Sequence, residues 1–253
     1  MPFYMEENLD APMRDVLGVI QHRILTQTTY FGIPTYKCPL DYWVYQELLC
    51  ECQPDVIVEI GNHKGGSTLA LAHICDHLGR GRVVGVDVSH VELADLARVH
   101  PRITLVEGDA ISSIERVRSY IGKDDKVLVV EDSSHGYENT LGILRTYSDL
   151  LGPGDYFIVE DSNLHHGVPY GADPGPWAAI EEFLKKCADF ESDRGRESFG
   201  ITCNPKGYLR RVSTSGAAPR PTQRRTLTWE RAKRVIMLFV PPIGIRLWRM
   251  MKA

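Results

Sequence analysis

The sequence predicts an α/β fold: a doubly wound, mostly parallel sheet with a C-terminal antiparallel hairpin. Five short apolar runs alternate with helical stretches between residues 55 and 159, and none of the runs has a polar phase. Strands of that kind are buried on both faces, as in a parallel sheet. The composition, 43% hydrophobic and 25% charged over 253 residues, is that of a globular chain and excludes a disordered, collagen-like or polytopic membrane protein.

Residues 1–53 read as a mostly helical N-terminal segment or lid with polar breaks. Residues 55–60 are the first strand, ending in Glu59-Ile60-Gly61, and Gly65-Gly66-Ser67 opens a helix that stops at Gly79. Strands follow at 82–87, 103–106, 126–130 and 155–159, separated by helices at 91–99, 112–121 and 141–151. A further helix covers 178–188. Residues 199–203 and 208–212 are expected to close the sheet as a hairpin, because Asn204-Pro205-Lys206-Gly207 between them has turn chemistry. The expected organisation is a catalytic domain over 54–212, a flexible linker over 213–227 and a basic amphipathic tail over 228–253.

The formal charge of −4 conceals two unlike pieces. Residues 219–253 hold nine Lys/Arg against one acid, Glu230, a charge of +8, so the rest of the chain carries −12. An acidic body lacks the clustered Lys/Arg that neutralises phosphates, which argues against nucleic acid as a partner. The tail points to a partner of its own. Its basic flanks around Val235-Ile236-Met237-Leu238-Phe239-Val240 and Trp248 fit a segment lying on an anionic membrane surface. They fit equally a segment packed on the acidic body of a neighbouring subunit in a homo-oligomer. The apolar run is far short of the roughly twenty residues that span a bilayer, and Pro241-Pro242 would break a helix there. Six scattered cysteines without a CxxC pair, and an acidic N-terminus without a signal-peptide core, predict a reduced cytoplasmic protein with free thiols, at most peripheral to the inner face of the membrane.

Ligands of open α/β sheets bind outside the carboxyl ends of the strands. Here those ends are acidic: Glu59-Ile60-Gly61, Asp87, Glu107-Gly108-Asp109, Glu131-Asp132 and Glu160-Asp161. Acids gathered at one rim repel each other unless cations or hydroxyls satisfy them. In Glu59-x-Gly61-x-x-x-Gly65-Gly66-Ser67 the glycines let a ligand approach the backbone and the helix N-terminus. Its spacing is not the GxGxxG dinucleotide fingerprint, nor is it a P-loop, because Lys64 precedes the glycine pair. With Asp87 placed to accept ribose hydroxyls, the loop suits S-adenosylmethionine, which carries no phosphates. Asp132, Glu160 and Asp161 make a hard oxygen set suited to Mg2+ or Ca2+, and a bound Mg2+ would acidify a substrate hydroxyl. His135 is one candidate base; His165 and His166 are second candidates for base or substrate contact. Glu131 neighbours Asp132 on a strand, so the two face opposite ways and do not share a metal. Each residue alone reads as a helix cap, a turn glycine or a surface histidine; their convergence on one rim argues for a site.

Several stretches together carry a family resemblance. They are Gly32-Ile33-Pro34-Thr35-Tyr36-Lys37-Cys38-Pro39-Leu40-Asp41-Tyr42-Trp43, the Glu59 to Ser67 loop, His100-Pro101-Arg102-Ile103-Thr104 with Gly108-Asp109, Asp132-Ser133-Ser134-His135, Val159-Glu160-Asp161-Ser162-Asn163, and Asn204-Pro205-Lys206-Gly207-Tyr208. Over roughly residues 30–212 the chain resembles the cephalosporin-hydroxylase-like family, which includes rhamnosyl and other sugar O-methyltransferases. The resemblance implies a Rossmann-like class I methyltransferase fold. It implies Mg2+-dependent methyl transfer from S-adenosylmethionine to a hydroxyl of a sugar, a glycosylated natural product or a glycolipid. Asp132, Glu160 and Asp161 would then be the metal ligands, Glu59, Gly61, Ser67, Asp87 and Asp109 the cofactor residues, and His135 the base. Lys37 is expected either to close over the cofactor carboxylate or substrate, or to be a solvent-exposed lysine. Two other classes stay in view: a non-catalytic S-adenosylmethionine-binding partner of another biosynthetic enzyme, and a nicotinamide-dependent oxidoreductase, disfavoured by the absent GxGxxG.

Overall fold

The computed structural model describes residues 3–213. The N-terminal part holds α1 (Met13–Gln27), a two-stranded ribbon of β1 (Thr29–Tyr30) and β2 (Ile33–Pro34), and α2 (Pro39–Cys52). There follow β3 (Val56–Ile60), α3 (Gly66–Leu78), β4 (Arg82–Asp87), α4 (Asp95–Arg98), β5 (Ile103–Glu107) and α5 (Ile114–Arg118). The chain continues through β6 (Val127–Glu131), α6 (Tyr137–Tyr147), β7 (Tyr156–Val159), α7 (Pro176–Lys186), β8 (Phe190–Ser192) and β9 (Tyr208–Arg211).

The main sheet has seven strands in the order β5-β4-β3-β6-β7-β9-β8. The first five are parallel; β9 runs antiparallel to both β7 and β8. Strand order reverses between β3 and β6, so the crevice for ligands opens beyond their carboxyl ends. Successive residues of β3 serve opposite layers. Val56, Val58 and Ile60 pack with Leu141, Leu144 and Tyr147 of α6 and Ile180 of α7. Ile57 packs with Leu48 and Leu49 of α2 and Leu71 of α3. This two-sided burial explains why β3, β6 and β7 are apolar without a polar phase. Gly79, at φ 69°, ends α3 with its N–H on the Asp76 carbonyl at 3.1 Å, a position that favours glycine.

Residues 199–203 do not form the expected strand. Their backbone is drawn to α2, where Asp41 accepts the Thr202 hydroxyl at 2.5 Å and the Cys203 N–H at 2.7 Å. The antiparallel partner of β9 is instead β8, with Phe190 opposite Arg211. The helix expected over 91–99 contracts to the single turn of α4: the Ala94 N–H bonds the Lys64 carbonyl at 3.0 Å rather than a carbonyl of its own turn. Beyond residue 213 the expected linker and basic tail lie outside the described residues. No helix among the described residues is long and apolar enough to cross a membrane.

Candidate active site

β3 runs into Gly61, at φ 90°. A Cβ there would stand 2.1 Å from the Asp132 carbonyl oxygen, so glycine is what lets the ends of β3 and β6 approach. Asp87 holds the loop that follows: its Oδ2 accepts the N–H groups of Asn62 at 2.7 Å and His63 at 2.9 Å. Asp109 accepts the N–H and hydroxyl of Ser112 at 2.9 and 3.0 Å. Both acids line a cleft of about 710 Å3, together with Gly61, Ser67, Lys37, Asp132, His135 and Asp161. Gly65 stands behind the cleft, where a Cβ would meet Leu93 and Ala97. Glu59 is fully buried. Its Oε2 takes the Asn62 amide at 2.9 Å and the Thr68 hydroxyl, and its Oε1 has no partner among the described residues.

Lys37 reaches the cluster from the segment ahead of α2. Its ammonium donates to Asp132 Oδ2 at 2.5 Å and to Glu160 Oε1. The side chain is buried, so of the two expectations for Lys37 the solvent-exposed one is overturned. Burial disfavours the ammonium, but Asp132, Glu160 and Glu59 outweigh it and raise the Lys37 pKa. Burial pushes Glu160 up to about 8, helped by Asp132 and opposed by Lys37. It pushes Asp132 and Asp161 up to about 6, opposed chiefly by Lys37 and by His135 respectively.

His135 follows the end of β6 at φ 56°, which brings its Nε2 to 3.3 Å from Asp161 Oδ2 and 3.9 Å from Asp132 Oδ1. Burial disfavours the imidazolium, but Asp132, Asp161, Glu131 and Glu160 together raise its pKa. Its Nδ1 is buried without a partner among the described residues. Asp132, His135 and Asp161 each offer a ligand atom within 4.8 Å of the others; Glu160 is outside that trio, bonded to Lys37. Glu131 accepts the Ser133 hydroxyl at 2.5 Å and the Thr140 hydroxyl at 3.4 Å, which ties β6 to α6. His165 and His166 are not brought to the cleft. His165 meets the Gly171 carbonyl at 3.2 Å, and His166 stacks on Trp177 with ring centroids 4.2 Å apart.

The donor chemistry fits a divalent cation. Asp132, Glu160 and Asp161 supply hard oxygens, and the fixed positive charge of Lys37 leaves that cluster with an excess of acid. Sequence reasoning passed over Asn62, which joins Glu59, Thr68 and, at 3.2 Å, His90. Its position directly after Gly61 was the available signal. Sequence reasoning read Asn204 as part of a turn and missed its contact with the site: Asn204 Oδ1 receives the Asp161 N–H at 3.2 Å.

A family model described as rhamnosyl O-methyltransferase/CmcI matches residues 22–212. The chain belongs to that family of O-methyltransferases. Rhamnosyl O-methyltransferases of Mycobacterium bovis and Mycobacterium leprae are each 37% identical to it, covering 74% and 72% of this chain and 79% and 82% of their own. A magnesium- and S-adenosylmethionine-bound structure of CmcI superposes with a TM-score of 0.59 at 26% identity, over 74% of this chain and 77% of that one. An S-adenosylhomocysteine-bound CmcI gives 0.57 at 26% identity, over 74% and 83%. Within the rhamnosyl O-methyltransferase/CmcI family, the match thus takes in the whole seven-stranded sheet described above.

Proposed function

We propose that this chain transfers the methyl group of S-adenosylmethionine to a hydroxyl of a sugar or glycosylated acceptor, with Mg2+ at the acid cluster. The observation that carries the reading is the meeting of Asp132, His135 and Asp161 at the cleft that the Gly61 to Ser67 loop also lines. Gly61, Ser67, Asp87 and Asp109 are the residues that would hold the cofactor, with Glu59 and Gly65 supporting them from behind. Asp132 and Asp161, with Glu160, would hold Mg2+. When bound, the cofactor supplies an electrophilic methyl group, and the metal supplies positive charge that acidifies the acceptor hydroxyl.

The chain's own residues do the rest. A neutral imidazole donates through one nitrogen and accepts through the other. His135, which lines the cleft, takes the hydroxyl proton, and Asp161, 3.3 Å from its Nε2, stabilises the imidazolium that forms. Asp87 and the Gly61 turn contribute by fixing the reactants in one geometry. The test is methyl transfer from labelled S-adenosylmethionine to a panel of rhamnosides and other glycosides, with Mg2+ and with a chelator. Transfer that needs Mg2+ supports the reading. Tight cofactor binding with no transfer to any glycoside overturns it.

The basic tail is proposed as a peripheral contact to an anionic membrane surface, supported by its charge of +8 and its apolar run.

A further inference from the structure

Cys38 and Cys203, far apart in the chain, meet beside the acid cluster. Cys38 immediately precedes α2, and Cys203 lies in the segment that Asp41 draws away from the sheet. They are 3% and 9% exposed and share an apolar cluster with Ile24 of α1. Their sulfurs lie within 4.8 Å of each other. Asp41 is near both, but its carboxylate is committed to Thr202, Tyr208 and the Cys203 N–H. That removes the case for a soft metal held by all three.

The two thiols are unequal. The Cys203 thiol stands beside Cys38, and the first turn of α2 presents the N–H groups of Leu40 and Asp41 to it. Together they hold its pKa below the ordinary thiol value against the effect of burial. The Cys203 pKa is raised, by its neighbour Cys38 first and by burial next, and its sulfur is also 3.8 Å from Gln21 Oε1. Each sulfur is placed to resolve an oxidation of the other. Cys203 lines the cleft, so a small solute entering the cleft meets that residue first.

We infer that Cys38 and Cys203 form a modification site, a dithiol that a hydroperoxide converts reversibly to a disulfide. One thiolate of the pair attacks a peroxide oxygen, the O–O bond breaks, and the leaving oxygen takes up a proton as an alcohol or water. The resulting sulfenic acid loses its hydroxyl as water when the other sulfur attacks, and the S–S bond forms as that second sulfur's proton leaves. Two thiols are oxidised by two electrons in all, and one peroxide is reduced. The bond would tether the segment carrying Lys37 to the segment carrying Asn204, which holds the Asp161 N–H. It is independent of whether the acceptor is a sugar.

The test uses the full chain, reduced, exposed to hydrogen peroxide, quenched with iodoacetamide and mapped by mass spectrometry. The expected result is a peptide cross-linked between Cys38 and Cys203 and an intact-mass loss of about 2 Da, both reversed by dithiothreitol. Full alkylation of both cysteines at a dose that oxidises the exposed Cys50 overturns the inference. So does sulfinic acid at Cys38 without the cross-link. Cys38→Ser and Cys203→Ser must each abolish the cross-linked peptide, and its survival in either variant also overturns the assignment.

Discussion

His135 sits in a backbone conformation that non-glycine residues seldom adopt, at φ 56°, and the return is a ring held against two acids. His135→Ala should lower kcat by about 10²- to 10⁴-fold while calorimetry shows the cofactor binding unchanged; unaltered turnover would place the base elsewhere. Asp161→Asn would remove a proposed metal oxygen together with the partner of Nε2. It should abolish Mg2+ stimulation of methyl transfer, with affinity for S-adenosylhomocysteine retained. Lys37 is the residue whose role the sequence concealed. Its contact with Glu160 spans 123 positions, and no local pattern encodes a distance of that kind. The opposite error befell His165 and His166. Adjacency to Glu160-Asp161 marked them, yet the turn in which the Val168 N–H bonds the Asn163 carbonyl at 3.1 Å carries them to the exposed side.

At the scale of elements, what the sequence expressed well was whatever burial dictates. β4 falls at the expected residues, Arg82–Asp87, because a strand covered on both faces must be apolar throughout. The sheet does close with antiparallel strands, but the strand expected at 199–203 was misplaced for a physical reason: Phe199-Gly200-Ile201-Thr202-Cys203 alternates like a strand, and one buried carboxylate outcompetes the sheet for its donors. Asp41→Ala would leave the Tyr208 hydroxyl and the Cys203 N–H without their acceptor. Each such group costs about 1–3 kcal/mol, so chemical denaturation should show a loss of that order or more. Stability within error of the parent would mean that water replaces the carboxylate. Gly61→Ala asks for a methyl group where the Asp132 carbonyl already lies. Cofactor affinity should fall with stability, because the same turn spaces β3 from β6.

At the scale of the molecule, the tail and the body answer to different tests. Full-length protein should co-sediment with anionic liposomes, and a chain ending at residue 213 should not; equal behaviour removes the membrane proposal. The body poses a question of charge. Several carboxylates converge on one rim, and such clusters ordinarily depend on a bound ion to stay folded. This one has an alternative, because Lys37 is inserted between Asp132 and Glu160. A chelator should therefore abolish methyl transfer yet shift the thermal midpoint only slightly. Lys37→Met should make the midpoint drop sharply on chelation, since an unpaired buried charge costs about 3–5 kcal/mol. On the proposed function the lysine would act as a resident understudy for the metal, covalently leashed and so never lost by diffusion. Loading the site would then be an exchange of one cation for another, and losing the metal would cost the protein its chemistry without costing it its shape.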